Sequence, residues 1–385
     1  MAIVNIGTIV SGDIENPILK GNTILVADGI IKAVGDEGLM QGVMPDQVVD
    51  AAGTTVIPGL IDSHGHPVLG DFTPRQKSLD YLDSTVHGGV TTMISAGEPH
   101  TPGRPKDPAG TKALAMLVHK SFKNFKPSGL KVHGGALILE KGLQEKDFAE
   151  LAGEGVWLVG EVGLGSVKNP EDAAPMVKWA KKCGMKVAMH TGGTSIPGSS
   201  TVTADMVLKI DPTLVSHING GTTAIPPGEV DRLIDESDLP LEIVQCGNPK
   251  VADYVARSLF KKGQLHRAVI GNDSPSGTGI IPLGILKTVV QLSSMSEIPA
   301  EKAIAMATGN TARAFGLNTS VIAPGREADL VIIDTPLGSV GSDALGAIEA
   351  GDIPGVSMVI IDGAVRVKVS RNTPPAKRQA EVKQG

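Results

Sequence analysis

Aromatic residues make up only 3% of this chain, and cysteine occurs just twice in its 385 residues. With Phe, Tyr and Trp so scarce, a large core has to be built from Val, Ile, Leu and Ala, the residues that fill parallel sheets and barrel interiors. The two cysteines, Cys183 and Cys246, have no paired spacing, which gives no sign of a disulfide framework and leaves two reduced thiols as the expectation. No apolar run is long enough to span a bilayer, and the opening MAIVNIGTIVSGD lacks a basic leader, so a soluble, cytoplasmic protein with no membrane contact is expected. Positive charge is not in excess either. The formal net charge is −6 with its charges scattered, which leaves no basic stripe to neutralise a phosphate backbone and argues against nucleic-acid binding.

What is present is glycine, 48 residues of it, and a regular alternation of apolar runs with helix-like stretches. The length exceeds one ordinary domain and suits a large barrel with a smaller partner. Residues 2 to about 55 read as short strands separated by turns (AIVNIGTIVSG, NTILVADGIIKAVG, QVVDAAGTTV), and the same pattern returns in EADLVIIDT and GVSMVIIDGAVRVKV. Two distant segments, 1–56 and 318–370, are therefore expected to form one small β-sandwich domain. Between them, residues 57–317 hold eight apolar strand candidates: TVIPGLIDSH, GVTTMISAG, LKVHGGALIL, VWLVGEVG, KVAMHTG, TLVSHING, LEIVQCG and AVIGNDS. Helical stretches such as DAAPMVKWAKKCG and PKVADYVARSLFKKG separate several of them, as in an α/β fold with a parallel sheet. The span is close to the roughly 250 residues typical of a (β/α)8 TIM barrel. The polar remainder, 371–385 with its two prolines, is expected to run over the surface or onto a neighbouring subunit of a homo-oligomer.

Barrel enzymes carry their chemistry at the C-terminal ends of their strands, so the polar residues found there are informative. Strand 1 ends in His64 and His66, whose side chains point the same way because strand side chains alternate, while Gly65 leaves room for a close neighbour. Strand 4 ends in Glu161, strand 5 in His190, strand 6 in His217 and strand 8 in Asp273. Any one of these alone is best read as a structural residue. Six at equivalent ends of one barrel point to shared metal ions, because burying so many polar groups together costs several kcal/mol unless they have common partners.

The stretch PGLIDSHGH, followed by GGVTT at 88–92 and by PGREADLVIID at 324–334, resembles the amidohydrolase superfamily of metal-dependent hydrolases, and the likeness extends over almost the whole chain. The resemblance implies a binuclear centre in which His64, His66 and Asp273 hold one ion and His190 and His217 the second. Many members bridge the ions with a carbamylated lysine on strand 4, but VWLVGEVG has no lysine, and Glu161 is expected to supply the bridging carboxylate directly. Imidazole and carboxylate donors suit zinc, the default expectation, and suit iron in one position nearly as well. Two divalent ions roughly 3.5–4 Å apart lower the pKa of a shared water and polarise a carbonyl, and Asp273 would be the catalytic residue that moves the proton to the departing nitrogen.

The expected activity is hydrolysis of a cyclic amide (lactam) C–N bond in a small molecule, with or without a carboxylate on the ring. Other rings, an imidazolone, a hydantoin or a dihydropyrimidine, present a similar carbonyl. The resemblance also allows a mononuclear deaminase, but such members place a glutamate three residues beyond the strand 5 histidine, where this chain has Gly193. A barrel kept only as a scaffold should have lost ligands, and none is missing from the proposed set. Substrate contacts are sought in His133 on strand 3, in Thr191 and Gly192 after strand 5 and in Asn219 and Gly220 after strand 6, with Arg75, Arg104 and Lys168 as cations for a ring carboxylate. His87, His100, His119 and His266 read as helix-end, loop or surface residues, Cys246 as a packed thiol, and Ser199 and Ser200 as parts of an ordinary loop.

Overall fold

The computed structural model describes residues 1–67, 76–97, 101, 103–194, 201–221, 223–275 and 279–384. Arg75, His100, Ser199 and Ser200 lie outside them. Eight short parallel strands follow one another: β1 (Leu60–Gly65), β2 (Val90–Ser95), β3 (Lys131–His133), β4 (Leu158–Val162), β5 (Lys186–Met189), β6 (Leu214–Val215), β7 (Leu241–Val244) and β8 (Ala268–Gly271). They pair as β3-β2-β1 and as β4-β5-β6-β7-β8. Two seams close these arcs into a ring. At one, Leu137 N–H donates to the Leu158 carbonyl at 2.9 Å and Gly160 N–H to the Leu137 carbonyl at 3.0 Å. At the other, Gly65 lies beside Ser274 in parallel register, with His66 N–H donating to the Ser274 carbonyl at 3.0 Å.

Each strand is followed by a helix: α1 (Gln76–Val86), α2 (Pro108–Asn124), α3 (Glu145–Gly153), α4 (Pro170–Lys182), α5 (Ala204–Ile210), α6 (Pro227–Glu236), α7 (Pro249–Lys261) and α8 (Gly284–Ser296). Their starts follow from local chemistry. Asp107 accepts the Gly110 N–H at 2.9 Å and Asn248 those of Lys250 and Val251, while Pro108, Pro170, Pro227 and Pro249 occupy first-turn positions where a missing N–H costs nothing. Valine, isoleucine, leucine and alanine from strands and helices form the principal core, and a smaller cluster of Ile61, Ile94, Leu158, Leu214 and Val269 fills the barrel floor against Phe315. No helix among the described residues is long and apolar enough to cross a membrane. The two cysteines form no disulfide.

The expected sandwich is present, as a five-stranded and a six-stranded sheet covering Ile3, Ile9, Ile24, Val49, Val56, Leu330, Ile332, Met358 and Ile360. Two boundaries differ from expectation. The run read as one barrel strand from Thr55 divides at Gly59: Thr55–Pro58 pairs antiparallel with Leu330–Asp334 in the six-stranded sheet, and only Leu60–Gly65 joins the barrel. Ile57 and Pro58, expected to open the barrel, thus belong to the sandwich, because an apolar run does not reveal which sheet covers it. The polar tail is also not simply a surface extension. Glu381–Gln384 is an edge strand on Gln47–Asp50, and the Arg378 guanidinium forks onto the buried Asp334 carboxylate at 2.7 and 2.9 Å. Lys131 on β3 ties the two domains, its ammonium meeting Glu327 at 2.6 Å, Asp329 at 2.8 Å and Asp362 at 2.6 Å.

Gly59 is the joint. Its N–H donates to the Asp329 carbonyl at 2.8 Å, and a Cβ there would sit 2.1 Å from Thr91 Oγ1 and 2.8 Å from Thr91 Cβ. A buried β-branched neighbour has no rotamer in which to escape. Gly59→Ala is expected to lower stability by about 1–3 kcal/mol, the scale of overpacking, seen as a reduced urea midpoint. An unchanged midpoint would show that the two strands have slack at this joint.

Candidate metal centre

Closure of the barrel between β1 and β8 builds half of the polar cluster. Asp273 N–H donates to the His64 carbonyl at 2.7 Å, which sets the Asp273 carboxylate beside both β1 histidines: its Oδ1 is 3.2 Å from His66 Nε2 and 3.7 Å from His64 Nε2. Asp273 adopts a left-handed backbone with φ of 57°, and His217 is also at positive φ, 31°. Conformations of this kind are costly for residues with a side chain and concentrate at functional sites.

Glu161 at the end of β4 reaches the middle of the cluster, and its two oxygens face different ways. One, Oε1, lies 3.2 Å from His190 Nδ1 and 2.6 Å from His217 Nε2. The other, Oε2, lies 3.5 Å from His64 Nε2 and 3.8 Å from His66 Nε2. His64, His66, Glu161 and His217 are buried, whereas the His190 side chain is 31% exposed and marks the open side. Two sets of three, His64 with His66 and Asp273, and His64 with Glu161 and His217, have donor atoms within 4.8 Å of one another.

Burial by itself would raise the carboxylates and lower the imidazoles, and here it is overridden. Against its desolvation, Glu161 is held well below the usual range by His64, His190 and His217, and Asp273 is held down by His66, His64 and His217. Burial likewise pushes His64 down, but Glu242 and Glu161 carry it well above its ordinary value; for His217 too burial is outweighed, and Glu161 with Asp273 raises it. Each group is thus stabilised in its charged form by its neighbours. A divalent cation at the same atoms supplies that positive charge without the protons.

Two acidic residues in this region carried no sequence expectation. Asp62 Oδ1 accepts the N–H groups of His64 at 3.1 Å and Asn272 at 3.0 Å, stitching β1 to the end of β8, and burial pushes its carboxyl up to about 6. Glu242 in β7 is fully buried and meets Ser63, His64 and His217. The available signal was a glutamate inside LEIV, a run where every neighbour is apolar.

The candidate substrate contacts are placed differently from the metal-type donors. Thr191 spends its hydroxyl on the Ser216 and His217 carbonyls at 2.7 and 3.1 Å, and Asn219 uses both ends of its amide on Val244, accepting its N–H and donating to its carbonyl at 2.9 Å each. Both fix the loops after β5 and β6 rather than offering groups to a ligand. Gly192 and Gly220 have positive φ, and a Cβ on Gly220 would lie 2.2 Å from the Thr223 carbonyl oxygen, so Gly220 serves the tight turn. Arg104 pairs with the buried Glu140 at 2.7 Å, and Lys168 is exposed. His119 is buried on α2 rather than at the surface. His133 is turned to the barrel floor, its ring edge-on to Trp157 with centroids 5.3 Å apart, and it does not join the cluster.

Residues 256–366 match the amidohydrolase family model. Over 380 residues, 99% of this chain and 98% of the relative, the sequence is 65% identical to enamidase from Eubacterium barkeri. The crystal structure of enamidase, described there as a member of the amidohydrolase superfamily, superposes with a TM-score of 0.97 over 100% of both chains at 65% identity. More distantly, adenine deaminase 2 of Rhizobium meliloti is 26% identical over 75% of this chain and 47% of its own length. A β-aspartyl dipeptidase from Fervidobacterium islandicum shares the fold, with a TM-score of 0.66, 17% identity and 98% of both chains covered.

The floor position of His133 has a measurable consequence. Burial, reinforced by Lys131 and only partly opposed by Glu327, lowers its imidazole to about 4. An unfolded imidazole titrates near 6.5, so on acidification the unfolded chain takes the proton first and stability drops between those values. His133→Gln removes that proton, and from about pH 7 to about pH 5 it should lose about 1–2 kcal/mol less stability than wild type in urea unfolding. Parallel losses in the two proteins would contradict the lowered value.

Proposed function

Since the chain belongs to the amidohydrolase family, whose members use divalent metals, and is a hydrolase of the C–N bond in a cyclic amide, we propose that it is a binuclear enzyme carrying out the enamidase reaction. The reaction in view opens the lactam of 6-oxo-1,4,5,6-tetrahydronicotinate and, with two waters consumed, yields 2-formylglutarate and ammonia. It would serve nicotinate degradation in the cytoplasm, in a homo-oligomer. The observation that carries the proposal is the divided carboxylate of Glu161, one oxygen toward the β1 histidines and the other toward His190 and His217.

The residues fit two divalent ions. His64 Nε2 is buried without a hydrogen-bond partner among the described residues, and the donors around it are imidazole and carboxylate, a set suited to zinc and, in one position, iron. His64, His66 and Asp273 would hold one ion and His190 and His217 the other, with Glu161 between them. Ions bound there lower the pKa of water and polarise an amide carbonyl. Asp273, held at the mouth side by its bond to the His64 carbonyl, then accepts a proton from the attacking water and returns it to the ring nitrogen as the C–N bond breaks. Cleavage leaves a carboxylate and an enamine, whose imine tautomer takes up the second water and releases ammonia. His190 is the donor whose side chain is partly exposed.

Asp273→Asn should keep most of its metal, because the amide retains an oxygen donor, while kcat falls by about 10² or more for want of a group that can carry the proton. A near wild-type kcat would remove Asp273 from that task. Glu161 supplies an encoded carboxylate, so metal-free wild type should regain activity equally well in bicarbonate-free buffer, and Glu161→Ala should hold substantially less metal by elemental analysis. Full occupancy in Glu161→Ala, or an absolute bicarbonate requirement, contradicts the bridge. Turnover of the tetrahydronicotinate lactam against a panel of imidazolones, hydantoins and dihydropyrimidines tests the ring.

A further inference from the structure

We propose that Glu242 is the positioning residue of this centre, a single carboxylate that fixes the ring of His64 and the backbone of His217 at once; the inference rests on the metal-binding reading given above. Strand β7 contributes no donor to the cluster, yet its Glu242 is 0% exposed and lies directly behind it. Its Oε2 is 2.8 Å from His64 Nδ1 and 3.1 Å from the His217 backbone nitrogen, and its Oε1 accepts the Ser63 hydroxyl at 2.5 Å.

The direction of these bonds follows from which partner has no choice. The His217 N–H can only donate, so Oε2 is an acceptor, and the proton between Oε2 and His64 Nδ1 belongs to the imidazole. That fixes the His64 tautomer and leaves the lone pair on Nε2, the atom that faces Glu161 at 3.5 Å and Asp273 at 3.7 Å. The same oxygen pins His217 at its positive φ of 31°, the turn that brings its ring to Glu161. Ser63 holds the second oxygen and with it the plane of the carboxylate. An anion behind the ring also makes His64 a better donor, and partners of this kind are worth 10–100-fold in metal affinity.

The test uses the full-length protein loaded with Zn²⁺. In competition with a chelator, Glu242→Gln, which keeps the shape and removes the charge, should bind Zn²⁺ about 10–100-fold more weakly. Ser63→Ala should move affinity the same way by less. In proton NMR of the zinc-loaded wild type, the His64 Nδ1–H bonded to a carboxylate should give a downfield, slowly exchanging resonance, absent in His64→Asn and lost or shifted upfield in Glu242→Gln. A purely structural glutamate would leave that resonance in place in a folded variant. If wild type binds zinc while a folded Glu242→Gln keeps full affinity and the resonance, the positioning role is overturned and the metal centre stands. If Glu242→Gln does not fold, Ser63→Ala decides: unchanged affinity with an unmoved resonance overturns the role. If wild type binds no zinc, the metal reading falls, and the positioning role with it.

Discussion

The seam between the first and last barrel strands is the constraint on which the rest of the molecule turns. Asp273 N–H to the His64 carbonyl and His66 N–H to the Ser274 carbonyl are ordinary ladder bonds, but they bring together residues more than two hundred positions apart. Asp62 reinforces them by accepting one N–H from each strand. Without this closure His64, His66 and Asp273 would be polar groups on separate sheet edges. With it they become a convergent set, and the barrel floor below them is filled by Ile61, Ile94, Leu158 and Val269.

So many ionisable groups in one buried place would be costly if each stood alone. The cluster avoids this by pairing. Glu161 meets four imidazoles and Asp273 two, while Asp62 is held by backbone N–H groups. Neutral side chains at the rim have been drawn into holding the frame, as Thr191 and Asn219 show by binding the carbonyls of neighbouring strands. Among the described residues, the His190 side chain is the least buried part of the cluster, with Asp273 next.

Most of the fold was legible because a parallel strand leaves a simple trace: a short run of buried aliphatic residues ending in glycine. The positions whose side chains converge were legible for a related reason. One histidine or carboxylate ending such a run says little, but six at equivalent strand ends stand out, and His64 and His66 two apart share a face. What escaped notice depends on partners distant in the chain. Thr191 looked available because its acceptors, Ser216 and His217, lie one strand further on. Arg104 looked like a free cation, yet Glu140 holds it. Glu242 was hidden inside an apolar strand, and the strand at 381–384 was masked by the polarity that an edge requires.

The small sandwich has an implication for how the chain comes into being. Its two sheets interleave strands from both ends of the sequence, with Thr55–Pro58 between Thr8–Val10 and Leu330–Asp334, and Gln47–Asp50 flanked by Glu381–Gln384. During synthesis, Ile3, Ile9, Ile24 and Val56 leave the ribosome some three hundred residues before Leu330, Ile332, Met358 and Ile360, which cover them. At about 5–20 residues per second, that apolar face goes without its partner for tens of seconds, while the barrel is being made. The sandwich is thus begun before the barrel and completed after it, and its early strands carry an apolar face that stays uncovered in between.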